Sequence, residues 1–185
     1  MTKLPLAFAL AAALGACAAP PVLYTVPPAP PGPPIPVRFA SIEVSEVSLP
    51  LYAEDEDIYV EGAGGAVVEA ARARWADDPR RATTLELARA LGTITRAEVA
   101  AEPWPFEDFP DARLTVRAER MVAGADGVYR IDGLYHVADR DAEADRSRRF
   151  AVEARFDPAG GAPAIAEARG RAVRDLARQI ASEGM

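Results

Sequence analysis

From residue 37 onward the apolar positions recur at two spacings, every second residue and every third or fourth, and the switches between them lay out strands and helices in turn. Val37 and Phe39, then Ile42 and Val44, alternate with polar neighbours as a half-buried strand requires, and the change of parity at Ala40-Ser41 predicts a bulge. Leu49-Pro50-Leu51-Tyr52 closes this element, and Glu54-Asp55-Glu56-Asp57 reads as a loop. Residues 58–61 and 66–72 form two strands joined across Gly62-Ala63-Gly64-Gly65, where clustered glycines permit positive φ. A phosphate-cradling loop is the competing reading, but no Lys-Ser/Thr follows those glycines.

The spacing then lengthens to that of a helix. Asp78 is placed as its N-cap and Pro79 as its first residue, where a missing N–H costs nothing. Thr84, Leu87, Ala88, Leu91 and Ile94 share one face, Arg81 and Glu86 point away, and Gly92 marks the C-terminal turn. A short strand over 97–101 leads into the irregular Pro103-Trp104-Pro105-Phe106.

Period-2 alternation returns three times: in Leu114, Val116 and Ala118, in Tyr129, Ile131, Tyr135 and Val137, and in Phe150, Val152, Ala154 and Phe156. Asp126-Gly127 supplies the first hairpin turn, and the charged stretch 139–148 a longer loop before the third strand. From Pro163 a last helix buries Ile165, Ala172, Val173, Leu176 and Ile180, with Arg171, Arg174 and Arg178 opposite. Arg169 projects from the apolar side and is read as snorkelling at its edge. The fold class this predicts is α/β in the α+β sense, a mixed, mostly antiparallel sheet with two main helices packed against it, as one domain over 37–182.

Upstream of residue 37 the pattern is of another kind. Lys3 precedes an apolar run from Leu4 to Leu14 that suits a signal-peptide core and falls short of the about 20 apolar residues a bilayer span needs. Small residues at Gly15 and Ala16 then admit a peptidase just ahead of Cys17, so residues 1–16 are set aside as a signal peptide. Residues 17–36 are rich in proline and predict a polyproline II tether of up to roughly 60 Å. Within it, Leu23, Tyr24 and Val26 have the alternative of docking as a short edge strand.

Composition narrows the chemistry. A net charge of −7 disfavours nucleic acid, whose recognition rests on basic surface. Cys17 is the sole cysteine, so the domain has no disulfide and no thiol for catalysis or metal binding. His136, the sole histidine, falls on the polar face of its strand without a Gly-x-Ser-x-Gly partner. The acidic runs 54–57 and 139–143 lack the glycine and glutamate of a calcium loop and are read as solvated. No catalytic residue, cofactor or metal is expected. Trp75 and Trp104 are core plugs or exposed anchors for a partner.

Leu14-Gly15-Ala16-Cys17 resembles the bacterial lipobox, which implies that Cys17 becomes the lipidated first residue of the mature chain. Ala18 and Ala19 follow in place of an acidic retention signal, which implies the outer membrane, facing the periplasm. The order of features from there, Tyr24-Thr25-Val26, a Val-rich first strand ending in Leu49-Pro50-Leu51-Tyr52, a strand entering Arg74-Trp75-Ala76-Asp77 before an amphipathic helix, then three strands and a helix, resembles the PqiC/YmbA-like ABC-type transport auxiliary lipoproteins. That resemblance implies a non-enzymatic subunit working with an MCE-domain protein and an ABC permease and ATPase in lipid traffic between the two membranes. Tyr24, Trp75 and Trp104 are the candidate partner contacts, and a homo-oligomer is open. An outer-membrane assembly lipoprotein and a periplasmic hydrolase of envelope polymers are the alternatives.

Overall fold

The computed structural model describes residues 20–28, 30, 32–141 and 145–185. The signal segment and Cys17 lie outside the described residues.

The elements in chain order are β1 (Val22–Tyr24), β2 (Ser41–Val44), α1 (Leu51–Glu54), β3 (Asp57–Glu61), β4 (Val67–Trp75), α2 (Pro79–Thr95), β5 (Glu98–Ala101), β6 (Ala112–Gly124), β7 (Val128–Asp139), β8 (Arg146–Arg155) and α3 (Gly161–Gly184). Eight strands make one mixed sheet, which bears out the predicted α+β class. β6 is its spine. Along one edge β6 takes β2 near its start (Val44 opposite Leu114) and β3 near its end (Val60 opposite Ala123), both parallel. Along the other edge it takes β7 antiparallel, and β8 adds to β7. β4 and β1 extend the sheet beyond β3, and β5 extends it beyond β2.

The long ladder follows from alternation in the sequence. Ala112, Leu114, Val116 and Ala118 are buried while Arg113, Thr115, Arg117 and Glu119 are exposed. The register slips between Ala118 and Arg120, and the strand opposite answers with Gly133, where a Cβ would lie 2.1 Å from the Arg117 carbonyl oxygen. Helices α2 and α3 cover one face. Leu87, Leu91 and Ile94 from the first and Val173, Leu176 and Ile180 from the second join Ile42, Val44, Leu114, Ile131 and Tyr135 in one apolar cluster.

Local signals placed α2 well. The Asp78 carboxylate accepts from the Arg81 N–H at 2.8 Å, with Pro79 inside the first turn. The helix runs past Gly92 to Thr95, and Arg96 ends it at φ 62° by donating its N–H to the Gly92 carbonyl. The glycine turn between β3 and β4 and the Asp126-Gly127 turn also stand where predicted, with Gly64, Gly65 and Gly127 at positive φ.

Four expectations are corrected. The first strand covers 41–44 only, because the N–H groups of Ala40 and Ser41 donate to the Asp111 carboxylate instead of a ladder, while Phe39 still reaches the core. Residues 51–54 close into the helical turn α1 and Asp57 opens β3, so of the loop expected over 54–57 only Asp55 and Glu56 remain outside an element. The stretch 139–148 is shorter as a loop, since Val137 already pairs with Arg146.

The fourth concerns the Pro-rich segment. The described residues between 22 and 37 lie on the domain as a strap instead of standing free, which is the docked alternative for Leu23, Tyr24 and Val26. β1 pairs parallel with the end of β4, Tyr24 opposite Trp75. Tyr24, Val26, Ile35 and Val37 pack on the core, the Ile35 N–H donates to the Ile94 carbonyl at 2.8 Å, and the Arg178 guanidinium donates to the Pro33 carbonyl at 3.1 Å. Proline removes donors but leaves carbonyls and apolar rings, which suffice to dock a chain lacking ladder capacity.

Candidate functional site

Where β4 meets the two helices, one polar cluster is buried. Arg169 of α3 is 1% exposed, which overturns its reading as a snorkelling edge residue. One guanidinium nitrogen donates to the Thr83 hydroxyl at 2.9 Å and to the Pro79 carbonyl at 3.4 Å. The same nitrogen lies 3.6 Å from a Glu86 carboxylate oxygen, and the guanidinium carbon sits 4.5 Å from the centre of the Trp75 ring. Glu86 is thus turned inward, not away from the helix face as expected. Burial pushes its carboxyl above the usual carboxylate range, with Arg169 opposing. One Glu86 oxygen and the Arg169 Nε have no partner among the described residues.

Trp75 is 8% exposed and belongs to the core, so of its two sequence readings the core plug is the one that holds. The cluster ties β4, α2 and α3 together through one cation with several weak partners. Beside it, a cleft of about 200 Å³ opens between residues 26–28 and the helices, apolar at Val26, Ala90, Ile94 and Val173, with Glu86, Arg89 and Arg174 adding charge. Tyr24 is half-buried at the adjoining edge.

A second surface is built on the loop between β5 and β6. Glu43 of β2 is buried, and its carboxylate accepts from the Trp104 N–H at 3.2 Å and from Arg113 at 2.6 Å. The Trp104 indole N–H donates to the Asp108 carbonyl at 2.6 Å, and its ring meets Phe106 edge-on at 4.9 Å. Asp111 closes the loop against Ala40 and Ser41, and its own N–H donates to the Ser41 hydroxyl at 2.9 Å. These ties hold Trp104 half-buried and leave Phe106 at 46% and Phe109 at 79% exposure. Phe109 was not singled out from the sequence. Its signal was there, an aromatic among prolines and acids with no strand or helix period to bury it.

The remaining candidates are not brought together. His136 is exposed on β7 and takes no part in the Glu86–Arg169 cluster. Among the described residues no group of three or more His, Cys, Asp or Glu side chains is placed to hold a metal ion, and no helix is long and apolar enough to cross a membrane. Burial raises the Tyr52 and Tyr135 hydroxyls above their ordinary range. Tyr52 accepts from the Met121 N–H, so it serves the packing of α1 on β6.

The architecture is one mixed sheet backed by two helices and crossed by an N-terminal strap. Its sequence places it further: the model of the ABC-type transport auxiliary lipoprotein component matches residues 23–181, strap included, and the chain belongs to that family. A crystal structure of an uncharacterised protein superposes with a TM-score of 0.72 at 17% identity, covering 89% of this chain and 99% of that one. A Xanthomonas campestris protein of family DUF330 superposes with a TM-score of 0.64 at 19% identity, covering 87% and 93%. At such identities these two share the fold. No curated protein matches the chain by sequence.

Proposed function

We propose that this chain is a lipid-anchored periplasmic subunit of an MCE/ABC-type intermembrane lipid transport system, fixed at the outer membrane through lipid on Cys17, where it docks the MCE component and does no chemistry of its own. Membership of the transport auxiliary lipoprotein family over residues 23–181 carries the reading. Small residues ahead of Cys17 and alanines after it support the anchor and its address. In this division of labour the ATPase and the lipid conduit are other chains.

The test is mild crosslinking of intact envelopes followed by purification through the full-length protein. The MCE-domain protein is expected in the crosslinked species, together with loss of envelope barrier on deleting the gene. An envelope-polymer hydrolase activity that disappears on mutating one carboxylate pair, with no MCE protein captured, would replace this reading with an enzymatic one.

A further inference from the structure

We propose that the loop of residues 102–111 is the docking tip of the molecule and that its occupant is a protein surface with an apolar pocket ringed by basic side chains, carried by the MCE partner. The inference rests on the function proposed above and assigns that partner to one place.

Three observations point to it. The loop presents two large aromatic rings to solvent while its backbone is pinned from below by Glu43, Ser41 and Asp111. Exposed aromatics on a pre-ordered loop lose little entropy on binding, which is what an interface anchor requires.

The charge of the tip selects among occupants. Residues 102–111 carry Glu102, Glu107, Asp108 and Asp111 and no basic residue. Arg140 reaches in from the end of β7 to Asp111 at 3.4 Å and donates to the Phe109 carbonyl at 3.0 Å. Among the described residues no salt bridge engages Glu102, Glu107 or Asp108. A bilayer rich in anionic lipid repels such a tip, as does the same tip of a second copy, whereas a basic protein surface attracts it.

The third observation is direction. β1 runs antiparallel to β6, because it is parallel to β4, which is antiparallel to β3, which is parallel to β6. Val22 lies opposite Ala73, beside Arg74 and Asp57, and so stands near the level of Arg120. The tip feeds into Ala112, eight residues earlier on β6, or roughly 25 Å along the strand. Traced backwards from Tyr24 to Val22, β1 itself runs away from the level of Ala112. The tip therefore faces away from the side on which the N-terminal segment leaves the sheet.

Binding of the purified periplasmic part of the MCE protein to the full-length lipidated chain in nanodiscs tests this. The double variant Phe106→Ala with Phe109→Ala is expected to weaken binding about tenfold or more. Glu107→Lys with Asp108→Lys is expected to weaken it and to remove its salt dependence, with thermal melting of both variants unchanged. Wild-type binding that both double variants retain overturns this inference and leaves the proposed function standing. No binding by the wild type overturns both. Tip-dependent binding to phosphatidylglycerol vesicles, or tip-dependent self-association, overturns the choice of occupant.

Discussion

At Arg169 a fully buried cation depends on a hydroxyl, a carbonyl, a ring face and a carboxylate 3.6 Å away. Removing the cation strands Glu86, whereas removing both charges restores an apolar contact. Arg169→Met is thus expected to lower stability by about 3 kcal/mol in urea unfolding, the low end of the range for a broken buried pair, and adding Glu86→Leu to recover most of it. Glu86 also sets a pH dependence. Its carboxyl is raised in the folded state from an ordinary value of 4.5, so it favours folding below that value and loses this contribution as pH climbs through its folded value. Glu86→Gln should therefore gain stability relative to wild type as pH rises from 4.5, and a pH-independent difference would show that this carboxyl does not titrate in the window. Asp126 runs the other way, since hydrogen bonds from Arg130 hold its carboxyl low and their effect fades on acidification. The sequence exposed the anomaly at Arg169, a charge on an apolar stripe. It hid the resolution, because Thr83 and Glu86 are more than eighty residues away in the chain and no local spacing links them.

Among the elements, the strap passes α3 at one narrow point. Gly170 faces the Pro27 backbone so closely that an added Cβ would lie 2.6 Å from the Pro27 carbonyl oxygen and 3.2 Å from a Val26 methyl. Gly170→Ala leaves α3 intact, because alanine is the better helix former, and must push the strap outward. Chymotryptic cleavage after Tyr24 is expected to accelerate while the remaining core stays resistant, with stability lowered by about 1–3 kcal/mol. An unchanged cleavage rate would mean that the strap is held by its other contacts alone. The strap also separates what local pattern could reveal from what it could not. β6, β7, β8 and α2 were legible because period, hairpin turn and cap all sit inside each segment. Of the strap, the apolar stretch at Leu23, Tyr24 and Val26 offered docking as an alternative, but the course of the residues up to Val37 was obscured because proline content describes what a segment cannot donate, not what it can touch. The parallel placements of β2 and β3 on a single edge of β6 were obscured too, since parallel register depends on partners far along the chain.

For the molecule as a whole, docking of the strap shortens the link to the proposed anchor. Five peptide units separate Cys17 from Val22, where β1 begins, and they reach at most about 18 Å in place of the roughly 60 Å of a free tether. With lipid on Cys17, so short a link holds one end of the sheet against the bilayer. The direction of β1 selects the end that carries the turn at Ala63–Gly65, and puts Trp104 at the other. Fluorescence quenching by doxyl-labelled lipid in proteoliposomes reads this orientation. Ala63→Trp is expected to add a quenched component to an otherwise unquenched spectrum from Trp75 and Trp104, because Ala63 is exposed at the near end. A ten-residue Gly/Ser insertion between Ala19 and Pro20 adds about 17 Å of mean reach, enough to release that end, so the quenched component should fall while the protein still sediments with lipid. Cys17→Ser should abolish both quenching and sedimentation without changing the melting temperature, since a lipid anchor contributes about 0.8 kcal/mol per buried CH₂ to membrane binding and nothing to the core. Quenching of Trp104 as strong as that of the introduced tryptophan would reverse the orientation and carry the aromatic tip to the membrane.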